Sequence, residues 1–597
     1  MISMCGSQGD ALFSRLPEWR RKRKMNSSKF RDDLYINREI KDLKDMLSSS
    51  AELYGDKRAY LVKDRPGGPY RPISFKETKA DVDGLGTALL DLGLAGKRIA
   101  VIGENRYEWV ITYLAAVNGT GVIVPLDREL PAEEIGHLMH RAGVSAIVFS
   151  SKVERKVKEA LAMAPEVECV ISMDALAHTE EVYSLKRLLQ KGRRLVAEGR
   201  RGFIDAAIDP EEMRMLLFTS GTTGLAKGVM LSHKNICANV YNMSKYVNVR
   251  DDCVGLSVLP MHHTYEFTCH VMTSLYQGCC VAICEGLKYI VKNMAEAQAT
   301  VMLGVPLIFE SMHKKVWKKA EAGGKADKMR AAIAVSRQLN KLNIKATKKL
   351  FKSVHQALGG NMRLLIAGAA AIDPAVVEDF NAMGITMIQG YGMTECAPII
   401  AVNMDRYHKA AAAGLPLPGT EIRIIDKDES GVGEIICKSP SVMLGYYDDP
   451  AETAKVLIDG WLHTGDYGYL DKDGFLYIAG RKKNVIVTKN GKNIFPEEVE
   501  FYLNKSDYIK EVLVTGQEDE KTGETIIWAE ILPDREAIEE KNGSLSQDEL
   551  KKLLKKEIDA ANDRMPLYKR VKRFKIRDTE FEKTTTKKIK RYAATKA

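Results

Sequence analysis

KRIAVIGENRYEWVITYLAAVNGTGVIVPLDRELPAEEIGHLMHRAGVSAIVFS, residues Lys97–Ser150, changes its hydrophobic period repeatedly within one stretch. Arg98–Ile102 is a short apolar strand, and Arg106–Asn118 carries apolar residues at helical spacing. Gly121–Leu126 reads as a second strand, Pro131–Ala142 as a helix opened by Pro and Glu, and Ala146–Phe149 as a third strand. Strands alternating with helices need crossover connections. The pattern therefore predicts a mostly parallel sheet covered on both faces. A second such run covers Met213–Ser232 and continues through Val281–Ile283, Thr300–Leu303 and Arg363–Ala367.

Outward from these runs the texture changes. Residues 314–356 are Lys-rich with helical spacing, the mark of a solvated helical face. From Glu421 the pattern becomes strand and turn, with strands at Glu421–Ile425, Gly433–Lys438, Tyr467–Leu470 and Phe475–Ile478. The last two flank Asp471-Lys472-Asp473-Gly474, a hairpin turn signal. Beyond Arg481 a smaller α+β module shows strands near Glu511–Thr515 and Thr525–Leu532 and a helix near Gln547–Asn562. The expected boundary is Gly480–Lys483.

The 597 residues exceed what one core normally supports, so several domains are expected. Ten scattered cysteines without a CxxC fit reduced thiols in a cytoplasmic protein. No run of 18 apolar residues signals a membrane span. Residues 1–24, with Arg20-Arg21-Lys22-Arg23-Lys24, read as a flexible basic extension. The net charge of +10 is matched by the segment from Arg564 to Ala597 alone, with 13 Lys/Arg against 3 Asp/Glu. A basic tail suits nucleic acid, anionic lipid or a polyphosphate substrate, and the motifs below favour the last. No nucleic-acid partner is expected, and peripheral membrane contact stays open.

Leu216-Leu217-Phe218-Thr219-Ser220-Gly221-Thr222-Thr223-Gly224-Leu225-Ala226-Lys227-Gly228 carries the chemistry. A strand enters a loop of glycines and hydroxyls with one lysine, and a strand leaves it. Glycines let backbone N–H groups curl around phosphate oxygens, hydroxyls add donors, and Lys227 adds charge. A Walker A loop needs Gly-Lys-Ser/Thr opening a helix, and Lys227 is followed by Gly228 and a strand.

The loop resembles the phosphate loop of the adenylate-forming superfamily, and other signatures of that superfamily follow in order. Tyr391-Gly392-Met393-Thr394-Glu395 is similar to the motif whose Thr contacts phosphate and whose Glu holds Mg²⁺. Trp461-Leu462-His463-Thr464-Gly465-Asp466 resembles the segment whose Asp binds the ribose hydroxyls. Gly480-Arg481-Lys482-Lys483 matches a stretch whose Arg also contacts ribose and whose last residue, Lys483, is the hinge. Lys489-Asn490-Gly491-Lys492 looks like the loop lining the thiol tunnel, implying roles for Lys489, Gly491 and Lys492.

By the same resemblance His263 flanks the acyl carboxylate. Gly368, Ala369, Ala370, Gln389, Gly390, Tyr391 and Gly392 surround the AMP moiety, Ala369 standing where relatives usually carry Gly. Aligning on Ile589 and Arg591 gives Lys588 the role of the lysine that bridges carboxylate and α-phosphate. The implied site is thus Lys588, Thr394, Glu395 and His263 for catalysis and Thr219, Ser220, Gly221, Thr222, Thr223, Gly224 and Lys227 for phosphate. Asp466 and Arg481 complete the AMP site.

The resemblance implies an α/β protein whose large N-terminal domain, 25–480, holds two mostly parallel doubly wound sheets plus a small distorted β-barrel. A hinge at 481–483 leads to a small mobile α+β domain, 484–597. ATP, Mg²⁺ and coenzyme A are the implied co-substrates and metal. The run His263-Thr264-Tyr265-Glu266-Phe267 lacks the in-register Asp with which amino-acid-activating relatives hold an ammonium, so a fatty acid is favoured. The Lys-rich insert and the Leu259-Pro260-Met261-His262-His263 run resemble long-chain acyl-CoA synthetases. Rival readings are a fatty-acyl-AMP ligase loading an acyl carrier protein, an ADP-releasing ATPase or kinase, and a non-catalytic nucleotide-binding module.

Overall fold

The computed structural model describes residues 34–219, 226–341, 347–487, 493–519, 524–583 and 589–591. The Lys97–Ser150 stretch folds as its period dictates: strands at Arg98–Ile102, Val122–Pro125 and Ala146–Phe149, with helices Tyr107–Ala115 and Ala132–Ala142 between them. The first helix widens into a π turn over Ala116–Thr120, and the second ends on Gly143 in the left-handed region.

Two compact units emerge from the packing. One comprises the chain up to Thr420 with Ser439–Ala454, the other Glu421–Lys438 with the chain from Lys455. The first unit contains an eight-stranded and a nine-stranded sheet, each parallel through its middle with antiparallel pairs at an edge. The strands Met213–Thr219 and Lys227–Ser232 pair antiparallel and join the Lys97–Ser150 sheet. The run that begins at Met213 is thereby corrected: it is split between the sheets, and Val254–Ser257, Cys280–Ile283, Val301–Gly304 and Leu364–Ala367 form the second. Hydrophobic period reveals a strand but not its distant partner, which is why the two runs look continuous in sequence.

In the second unit, Glu421–Ile425, Gly433–Lys438, Leu457–Ile458, Trp461–Leu470 and Leu476–Arg481 make a five-stranded antiparallel sheet. The expected turn closes the hairpin: Asp471 Oδ1 accepts from the N–H groups of Asp473 and Phe475, and Gly474 adopts φ 81°. Ile509–Glu518, Thr525–Pro533 and Val571–Ile576 form a second sheet, backed by the helix Gln547–Asn562. Packing thus groups the strands before Arg481 with the C-terminal residues, whereas the sequence pattern divides the chain at Gly480–Lys483. Phe495 packs tilted against Tyr467 and lies against Gly480, where an added Cβ would come within 2.8 Å of its ring.

None of the nine cysteines among the described residues is in a disulfide, and eight of them are buried. No described helix is long and apolar enough to cross a membrane. His233 is buried where the helix His233–Tyr246 begins, accepting from Leu43 N–H at 3.0 Å and donating to Val117 O at 3.0 Å. That arrangement requires the neutral ring, and burial lowers its pKa to about 4. The folded value lies below the unfolded 6.5, so its stabilisation is complete above pH 6.5 and fades as pH falls toward 4. Urea unfolding should show a loss of roughly 3 kcal/mol across that window, and His233→Gln should remove that part of the slope.

Candidate active site

In the first unit the side chains marked by sequence gather where strands end. Thr219 closes one strand and Lys227 opens its partner, the two opposite each other in register. Gly368 follows Leu364–Ala367, and Thr394–Cys396 form a 3-10 turn after Thr386–Gly392. His263 follows Val254–Ser257 and caps the short helix Thr264–Glu266. Ligands of open α/β sheets bind outside the carboxyl ends of strands; Thr219 stands at such an end in the eight-stranded sheet, and His263, Gly368 and Thr394 follow such ends in the nine-stranded one. Ser220, Gly221, Thr222, Thr223 and Gly224 lie outside the described residues.

A run of side-chain contacts links Lys227 to Glu395. The Lys227 ammonium lies 4.9 Å from the centre of the Tyr446 ring and pairs with Glu452. Tyr446 in turn donates its hydroxyl to Glu395 Oε1 at 2.8 Å in a buried position. Backbone bonds fix both ends: Met443 N–H donates to Glu395 O, and Thr453 Oγ1 receives the Tyr446 N–H. Asn239 Nδ2 donates to Cys396 O and Ile399 O, holding the turn that presents Glu395.

The His263 turn is held from the other sheet. Asn105, just past the strand Arg98–Ile102, donates to Ser257 Oγ and Leu259 O and accepts from Met261 N–H. The His262 ring lies tilted against His263 with centroids 4.1 Å apart, and burial lowers the His262 pKa to about 3. Gln389 turns its amide to Ala410 O, so its side chain supports a loop. Tyr391 pairs with Ala401 across the strand edge and Gly390 lines an internal cavity.

Tyr265 covers the Gly368 turn. Its hydroxyl donates to Ile366 O at 2.9 Å, and a Cβ at Gly368 would sit 2.7 Å from the ring. Glycine is needed there for close approach, not for its torsion. Ala369 next to it takes φ 69°, where a methyl costs roughly 1 kcal/mol relative to glycine. Gly368→Ala must therefore displace Tyr265. By the roles the resemblance implies, it should lower kcat/KM for both ATP and the acid by about 10–100-fold, and Tyr265→Leu in the same chain should restore part of the loss in steady-state assays.

In the second unit Asp466 and Arg481 face each other across a hairpin, Arg481 Nε standing 2.9 Å from Asp466 Oδ1. Asp466 is 4 % exposed, its N–H donates to Thr464 Oγ1, and Arg481 holds its carboxylate. Lys482 pairs with Glu434, and Lys483 lies exposed in the turn Lys482–Asn484. Lys489, Gly491, Lys492 and Lys588 lie outside the described residues.

Family models describe both parts of this chain: an AMP-binding enzyme model matches residues 47–447, and an AMP-binding enzyme C-terminal domain model matches 483–597. The chain belongs to the AMP-binding enzyme family. It is 30% identical over 522 residues to long-chain-fatty-acid–CoA ligase 1 of Homo sapiens, covering 80% of this chain and 72% of that one. It is 25% identical to a chloroplastic long-chain-fatty-acid–[acyl-carrier-protein] ligase of Arabidopsis thaliana, covering 89% and 82%. Among solved structures, o-succinylbenzoate CoA synthetase of Bacillus subtilis superposes with TM-score 0.70 at 21% identity, covering 92% and 98%, which speaks to the fold.

Within this AMP-binding enzyme, Tyr446, Glu452, Asn105, Asn239 and Tyr265 escape sequence reasoning. Asn105 alone leaves a trace, because it stands just beyond the carboxyl end of a parallel strand, where functional loops of such sheets lie. The others owe their place to pairings between distant segments.

Proposed function

We propose that this chain is an AMP-forming acyl-CoA synthetase that activates a fatty acid of medium to long chain and transfers it to coenzyme A. The observation that carries the reading is the joining of Lys227, through Tyr446, to the buried carboxylate of Glu395. The same unit also encloses a small cavity of about 40 Å³ walled by Val301, Leu303, Ile366, Val402 and Tyr265, among others.

Two anions must meet in the first step. The fatty acid carboxylate attacks the α-phosphorus of ATP, a carboxylate–phosphorus bond forms, and the bond to pyrophosphate breaks. Lys227 and Lys588 carry positive charge to the phosphates and to the carboxylate, and His263 flanks the acid. Glu395 fits a magnesium ion, since that ion takes oxygen ligands and is commonly held by one or two carboxylates plus substrate phosphates. Bound there, the ion would neutralise phosphate charge. In the second step the coenzyme A thiol attacks the acyl carbonyl, a thioester forms, and AMP departs. Lys588 must make way for the Gly491 loop, so the C-terminal module turns about Lys483.

The experiment is a carboxylate-dependent AMP-release assay from acetate to oleate, with coenzyme A or a holo-acyl carrier protein as acceptor. Release of AMP and pyrophosphate with a C8–C18 optimum and coenzyme A supports the reading. Turnover only with carrier protein favours the ligase named for the Arabidopsis relative, and ADP as product rejects both.

A further inference from the structure

The lysine read as a phosphate ligand is already in contact with an anion. The Lys227 ammonium stands 2.5 Å from Glu452 Oε1 and lies over the Tyr446 ring. Both charged side chains are partly exposed, 20 % for Lys227 and 25 % for Glu452, so a solute can reach the pair. Glu452 occupies the first turn of the short helix Pro450–Val456, its N–H donating to Asp449 Oδ1 at 2.9 Å.

The ion pair is not needed to join the segments that carry it. Leu444 N–H donates to Met230 O and Tyr447 N–H to Gly228 O, while Gly445 and Tyr446 pair in register with Met230 and Val229. Tyr446 N–H in turn donates to Oγ1 of Thr453, the residue after Glu452. Backbone bonds thus fix both sides of the contact. A partly exposed ion pair adds little to stability beyond them. What the carboxylate does alter is the electrostatics of the ammonium beside it.

A lysine ammonium has three N–H donors, and the Glu452 contact takes one of them. Lys227 can therefore keep Glu452 and still meet a phosphate oxygen, but the phosphate then lies near a second negative charge. Close charge pairs commonly change affinity by about tenfold or more, and like charges change it for the worse. Such weakening has a use in this reaction. Groups that hold a triphosphate also hold pyrophosphate, and pyrophosphate has to leave once the acyl-AMP has formed. Product release limits many enzymes. Resting on the reading of Lys227 as a phosphate ligand, we propose that Glu452 is a positioning residue, a built-in counter-anion that shares Lys227 with the polyphosphate and weakens its grip so that pyrophosphate leaves.

The test is calorimetric titration of the full-length enzyme with magnesium pyrophosphate and, separately, with MgATP in the absence of acid. Glu452→Gln should tighten both, lowering each Kd by about tenfold, and pyrophosphate should become a stronger inhibitor of AMP release. KM for the fatty acid should not change. A merely structural role would instead loosen every substrate together and lower Tm. Glu452→Asp, which keeps the charge, should stay close to the unmodified enzyme. Should Glu452→Gln fail to fold, Glu452→Ala carries the same expectation. Unchanged or weaker binding of both ligands in the neutral variants overturns the inference. Tightening that Glu452→Asp reproduces in full also overturns it, since charge would then not be the cause. Lys227→Ala keeps the two readings apart. If it weakens both ligands while the neutral Glu452 variants tighten neither, this inference alone falls; if it leaves both ligands unchanged, the reading of Lys227 as a phosphate ligand falls with it.

Discussion

Lys588→Ala is expected to lower acyl-AMP formation by about 10²–10³-fold while leaving thioester formation from supplied acyl-AMP within a few-fold of the unmodified enzyme. The first half-reaction brings a carboxylate against a polyphosphate, so a cation at that junction acts where negative charge crowds in the transition state. Removing one preorganised group of this kind typically costs roughly 3–4 kcal/mol. The second half-reaction begins from a neutral acyl carbonyl and has no such junction. The chain on both sides of Lys588 is anchored to the C-terminal sheet. Lys583 pairs in backbone register with Ile589 and in charge with Glu511, and Arg591 donates to Val514 O and pairs with Glu500. Gly491→Trp should do the reverse, blocking thioester formation while sparing pyrophosphate exchange. Equal loss of both half-reactions in both variants would mean that the two steps share one arrangement and that the module does not turn about Lys483.

Much of the scaffold around these residues is legible in sequence because period is a local property. Arg98–Ile102, Ala146–Phe149 and Gln547–Asn562 stand where spacing puts them, since each buries one repeating face whatever lies beyond. Pairing is not local. The Met213–Ser232 hairpin joins the first sheet through Ile123 opposite Met215, a contact that no spacing rule encodes. The same holds for the Phe495 packing on Gly480 that draws the antiparallel sheet toward the C-terminal residues.

The site divides along the same line. Thr394, Glu395, Asp466 and Arg481 are visible because they sit in short, ordered motifs whose chemistry needs those residue types. The groups that orient them are invisible for the opposite reason. Tyr446 lies 51 positions from Glu395 in sequence and touches it only because the segment Gly445–Tyr446 pairs with Lys227–Ser232. Glu266 reads in sequence as an acid out of register for an ammonium, and spacing does not show that its contact with His270, four residues on, is buried. Burial and partner geometry, not residue type, convert such positions into functional ones.

That orientation yields the second large effect. Glu395→Gln should reduce pyrophosphate exchange by about 10²–10³-fold, because a neutral amide holds magnesium weakly while the phosphate charge it would balance remains. Tyr446→Phe should be milder, about tenfold, since it removes the 2.8 Å hydrogen bond to Glu395 yet keeps the ring beneath Lys227. A hydrogen bond to a charged group contributes about 1.5–3 kcal/mol, and here part of that sum fixes the carboxylate rather than the fold. The signature is therefore a rise in the magnesium concentration needed for half-maximal exchange, not a uniform loss of rate. In the double variant the tyrosine effect should vanish, because residues in direct contact are not additive and Tyr446 would have no carboxylate left to orient. Exchange measured against magnesium concentration in the two single variants and the double one separates the cases. If Tyr446→Phe lowers the maximal rate with an unchanged magnesium requirement, Tyr446 acts through Lys227 instead, and Glu395 is placed by its backbone alone.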